Sequence, residues 1–78
     1  MKEGDRTVDT NEMAGVLDVE PRFVRRYLYE AHKKEKLPVT MKPGKGKLKF
    51  ADPIQFADYL RRRGFVEAAD KLVGHYQR

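Results

Sequence analysis

The chain has 78 residues, no cysteine and a net charge of +5. A chain of this length makes one domain and buries only about 60–65% of its unfolded surface, which argues against a deep catalytic cavity. Without cysteine there is no disulfide framework and no thiolate metal site, and no apolar run approaches the ~20 residues of a membrane span.

Residues 1–9 are polar and are expected to form a flexible N-terminus ahead of a single domain over 10–78. Met1 to Arg6 lack the apolar run of a signal peptide, and the absence of cysteine fits a cytoplasmic protein. Asp9, followed three residues later by Glu12, is a capping-box-like helix start. The first helix is predicted over Thr10 to Leu17, with Met13, Ala14 and Leu17 as its buried stripe. Gly15 weakens it by about 1 kcal/mol, so it depends on packing. Asp18 stands where the turn calls for a left-handed residue, which Asp tolerates better than most.

Pro21 suits the first position of a second helix, because its missing N–H is unused there. Glu20 is a poor N-cap, though its charge suits the positive helix end. Phe23, Val24, Tyr27 and Leu28 form the inward stripe, leaving Arg22, Arg25, Arg26 and Tyr29 on other faces. This helix is expected to end between Ala31 and Lys34. Two helices joined by a tight turn, the second basic, describe a helix-turn-helix whose second helix suits a DNA major groove.

Leu37 to Met41 and Lys47 to Phe50 alternate in polarity around Lys42-Pro43-Gly44-Lys45-Gly46, which predicts a β-hairpin. Val39, Met41, Leu48 and Phe50 are expected to face the core. A hairpin with a basic tip after a recognition helix is a wing, so the expected fold is mostly α with a small β-hairpin, a winged helix-turn-helix. Asp52-Pro53 opens a third helix bearing Ile54, Phe56, Ala57 and Leu60, and Gly64 stops it. A fourth helix is expected from Phe65 to Tyr76, closing the core rather than offering its apolar stripe to a second copy.

Charge is unevenly placed. There are two basic against six acidic residues from Met1 to Pro21, then ten against two from Arg22 to Lys49, then five against four. The basic excess therefore falls on the second helix and the hairpin, the footprint of a polyanion partner. Arg22, Arg25 and Arg26 are the candidates for the major groove, since Arg bonds bidentately to guanine. Tyr29 is either a phosphate contact or a partly buried core residue. Lys42, Lys45, Lys47 and Lys49 suit phosphate neutralisation rather than base readout. Arg61, Arg62 and Arg63 read as surface charge that complements a helix dipole.

The order of elements resembles the winged helix-turn-helix of the MerR-like superfamily, and within it the small phage excisionase, or recombination directionality factor, type. The matching residues are Met13-Ala14, Leu17, Val19, Pro21-Arg22, Val24-Arg25-Arg26 and Leu28, with the lysine-rich wing and the Asp52-Pro53 helix carrying Leu60. The likeness covers roughly Thr10 to Gly64. It departs at Asp18, where that family usually has Gly, and at Glu20, where it has Ser or Thr. The resemblance implies double-stranded DNA as ligand and a nucleoid-associated role in transcription regulation or recombination. It implies the second helix in the major groove and the wing on phosphate or the minor groove.

No enzyme is expected. Gly44-Lys45-Gly46-Lys47 lacks the spacing and following helix of a nucleotide phosphate loop, and His32 and His75 have no ligand partners in sequence. Neither a cofactor, a metal nor a small-molecule substrate is expected. One module makes a small footprint on DNA, which implies a homodimer or cooperative binding to repeated sites. Two other classes compete: an adaptor whose basic stripe docks an acidic protein, and an RNA- or ribosome-associated binder. Pairing of the arginines with Glu30 and Glu35 favours the adaptor, and exposed aromatics among the basic residues favour RNA.

Overall fold

Asp9 and Asp52 each stand directly before a helix, and both caps form. Asp9 Oδ1 accepts from the Glu12 N–H at 2.7 Å, and Asp52 Oδ1 accepts from the Ile54 N–H at 2.8 Å. The computed structural model describes residues 7–41, 44 and 49–77. Over them run β1 (Val8–Asp9), α1 (Thr10–Leu17), α2 (Pro21–Glu35), β2 (Thr40–Met41), β3 (Lys49–Ala51), α3 (Pro53–Arg62) and α4 (Val66–Tyr76). The result is a small α+β fold, four helices on a three-stranded antiparallel sheet of order β1-β3-β2.

The turns follow from the residues that occupy them. Asp18 takes a left-handed conformation at φ 58°. Its N–H donates to the Gly15 carbonyl, and the Val19 N–H donates to the Ala14 carbonyl at 3.0 Å. That pair of bonds closes α1 and leaves only Asp18 to Glu20 before α2. Gly64, at φ 94°, closes α3 the same way, with the Phe65 N–H on the Leu60 carbonyl at 2.9 Å. Pro21 opens α2, and Glu20 makes no side-chain cap there.

α2 runs to Glu35, one residue past the expected range. Lys36 ends it in a left-handed conformation, and His32 Nδ1 donates to the Leu37 carbonyl at 2.9 Å. Val24, Leu28 and Ala31 are buried along its inner face. Full burial of a Val or Leu side chain stabilises by about 1.5–3 kcal/mol, so this stripe fixes which face looks outward. Phe23 and Tyr27 are half-buried and pack with Phe65, with ring centroids 4.9–5.5 Å apart.

The helices share one core. Met13, Ala14 and Leu17 of α1 lie in one buried cluster with Phe56 and Leu60 of α3 and Ala69 and Leu72 of α4, in which α4 packs on both α1 and α3. α4 closes the core, as Ala69 and Leu72 are fully buried. Tyr59 is buried too, where Ile54 was the expected core residue and is only half-buried. The Glu12 carboxylate does not complete a capping box. It accepts from the Tyr76 hydroxyl at 2.7 Å and ties the first helix to the last.

Three expectations are corrected. Residues 1–9 are not flexible throughout, because Val8 and Asp9 form β1 and pair with Ala51 and Phe50. Two residues give no alternation to read, so this strand leaves no periodic signal. The expected hairpin is therefore part of a three-stranded sheet. Met41 is not a core residue and stands 56% exposed. Its register partner is Lys49, and directly opposed residues share a face. Lys49 faces solvent, so Met41 must as well. Phe50, on the other face, is buried, and Leu37 supplies the core contact ahead of β2. Leu48 and the hairpin-tip lysines, Lys42, Lys45 and Lys47, lie outside the described residues.

Candidate nucleic-acid interface

At 100° per residue, Arg25, Tyr29, Arg22, Lys33 and Arg26 fall within an arc of about 100° on α2. Val24, Leu28 and Ala31 lie on the opposite side. Burial of the second set therefore aims the first set at solvent. All five are exposed, Tyr29 by 60%. Tyr29 is thus a surface residue, not a core one. α2 has 15 residues and so spans about 22 Å, long enough to lie along a groove.

Few of these cations are neutralised. Arg22 Nε stands 3.7 Å from Glu20, and both side chains are at least 80% exposed, so the pair contributes little. Among the described residues, neither Arg25 nor Arg26 forms an ion pair. Arg26 lies over the Tyr27 ring at 5.7 Å, and the Lys33 ammonium lies over Tyr29 at 5.4 Å. Lys49 is exposed on β3, a separate element.

The acidic residues of α2 are engaged elsewhere. Glu30 accepts from the buried Tyr59 hydroxyl and from Arg63 Nε at 2.6 Å. Glu35 accepts from Arg62, which also bonds Asp58. Arg61 pairs with Asp70 at 3.0 Å. Arg61, Arg62 and Arg63 are therefore ion-paired struts joining α3 to α2 and α4. Sequence spacing could not reveal this, because Glu30 and Arg63 are 33 residues apart. Lys33 was also missed, although its place four residues beyond Tyr29 on a helix marks it as a stripe member.

The Tyr59 hydroxyl holds the Glu30 carboxyl below its ordinary value, with Arg63 adding to the effect against partial burial. Burial, and then Glu30, push the Tyr59 phenol up to about 12. Hydrogen bonds to carboxylates raise the guanidinium groups of Arg62 and Arg63. The depressed Glu30 carboxyl stabilises the fold above its unfolded value of 4.5, and that contribution is lost as pH falls through the lower folded value. Tyr59 acts in the opposite sense, its contribution complete below pH 10 and lost as pH rises through about 12. Thermal melts between about pH 5 and pH 2 are expected to show a falling Tm whose slope flattens in Glu30→Gln. An identical acid limb in that variant removes Glu30 from the account.

Among the described residues, no three His, Asp or Glu side chains are placed to share a metal ion. No described helix is long and apolar enough to cross a membrane. An open surface depression at the α3–α4 turn is lined by Gly64, Phe65, Val66, Glu67 and Ala68, a set without a nucleophile and base. Compared with protein-family models, curated proteins and solved structures, the chain matches none of them.

Proposed function

We propose that the chain is a sequence-preferring binder of double-stranded DNA, without catalysis, built as a winged helix-turn-helix. α2 is the helix that enters the major groove. The β2–β3 hairpin is the wing, with Lys42, Lys45, Lys47 and Lys49 on phosphate or the minor groove. Its role is transcription regulation or direction of site-specific recombination in the manner of an excisionase.

One observation carries this reading. The outward face of α2 presents Arg22, Arg25, Arg26, Tyr29 and Lys33, while both carboxylates of that helix are drawn away by α3 and its C-cap. An adaptor reading expected the arginines of α2 to be paired with Glu30 and Glu35, and it is Arg62 and Arg63 that take them. A three-residue connection between α1 and α2 also suits a helix-turn-helix. Arginine recognises guanine bidentately, whereas the hairpin lysines act as point charges.

A titration against duplex DNA and single-stranded RNA across a salt series tests the reading. Duplex should bind more tightly, and log K should fall by about 0.9 per phosphate contact as log salt rises. Replacing Lys42, Lys45 and Lys47 together with Ala should make that slope shallower by roughly 2–3, with sequence preference kept. Preference for RNA transfers the basic stripe to base stacking through Tyr29. Binding to neither nucleic acid leaves the acidic-protein adaptor as the better account.

A further inference from the structure

Glu30 sits at the edge of the basic stripe, one turn after Arg26 and one turn before Lys33 and Lys34. Side chains three and four residues apart on a helix are neighbours, so a carboxylate here ordinarily pairs along its own helix. Such a pair would place negative charge against Arg26 on the surface proposed to meet DNA. Among the described residues, Glu30 forms no ion pair within α2. A single oxygen of its carboxylate, Oε1, takes the Tyr59 hydroxyl and Arg63 Nε together.

The surroundings fix that choice. Tyr59 is 2% exposed, and α3 aims its hydroxyl at Glu30. Arg63 caps α3 and lies 5.8 Å from the Tyr27 ring centroid, while Arg26 lies 5.7 Å from the same centroid. Two guanidinium groups thus share one ring, and the carboxylate bonds the one that belongs to α3. We infer that Tyr59 and Arg63 are positioning residues for DNA recognition, holding the Glu30 carboxylate on the α3 side so that Arg26 keeps its charge for DNA. The inference rests on the DNA-binding reading above.

Wild type, Glu30→Gln, Arg63→Gln and the double variant are titrated with a mixed-sequence DNA duplex across a salt series. Arg63→Gln removes one of the two bonds that hold Glu30 and lets its charge act on Arg26. Binding should then weaken about fivefold and the salt slope should become shallower, by about 0.9 where Arg26 also neutralises a phosphate. Glu30→Gln removes a negative charge beside the interface and should tighten binding about twofold. In the double variant the slope should return to the wild-type value. Arg63→Gln should then cost no more than about twofold relative to Glu30→Gln. An equal loss in both backgrounds, with a shallow slope in both, makes Arg63 a phosphate contact and overturns the inference. Unchanged affinity and slope in every variant reduces the cluster to a structural tie and overturns it as well. If Arg63→Gln does not fold, Tyr59→Phe gives the same comparison without changing charge. A loss with Glu30 intact and none in the Glu30→Gln background supports the inference, and equal effects overturn it. Failure of the wild type to bind any duplex refutes the DNA reading itself, and this inference with it.

Discussion

Leu72→Ala is expected to destabilise the protein by about 2–5 kcal/mol, the range for removing a fully buried leucine and leaving a cavity. Leu72 is completely buried on α4, which packs against α3 and α1. A domain of 78 residues holds only about 4–12 kcal/mol in total at roughly 0.05–0.15 kcal/mol per residue. The variant should therefore lose a large share of its stability, and its Tm should fall by about 8–40 °C at roughly 4–8 °C per kcal/mol. Calorimetry or circular dichroism melts measure this directly. A loss under about 1 kcal/mol would mean that α4 contributes little to the core. A Tm that depends on protein concentration would point instead to an α4 that is buried between copies.

Arg25→Ala and Arg26→Ala carry the largest expected effects on binding. Each should cost roughly 1–3 kcal/mol on a preferred duplex and relax preference at the base it contacts. Both side chains are exposed and outside the core, so stability should shift by less than about 0.5 kcal/mol. That separation makes the result interpretable, because weakened binding cannot then be blamed on unfolding. A uniform loss across all sequences would make the residue a phosphate contact. Unchanged affinity in both variants would take α2 out of the interface and leave the fold without its proposed groove-reading element.

The helices were legible because their signals are local. Asp9, Asp18, Pro21, Asp52, Pro53 and Gly64 each act within a few residues, through a cap or a left-handed turn, and each marks its expected boundary. The inward stripe of α2 also follows from spacing alone. What spacing could not show was pairing at a distance. β1 exists only because β3 is there to meet it, and Met41 faces out only because its register partner is Lys49. The same limit applies to the proposed interface. The exposed arginines of α2 could be placed from the helical period. Their freedom from Glu30 and Glu35 depends on Tyr59, Arg62 and Arg63, which lie 27–33 residues further along the chain.

The bond from Tyr76 to Glu12 spans 64 residues, and β1 waits for Ala51 and Phe50. Synthesis delivers the chain from its N-terminal side, so β1 and α1 leave the ribosome well before β3 and α4, on which they also pack. α1 can fold back on α2 at once, but Met13 and Leu17 share a core with Leu72, which emerges much later. The nascent chain must carry that apolar face uncovered until α4 is free. Closure of this core therefore waits on α4, and a truncation that removes α4 should leave a sticky, unfinished intermediate rather than a smaller stable domain.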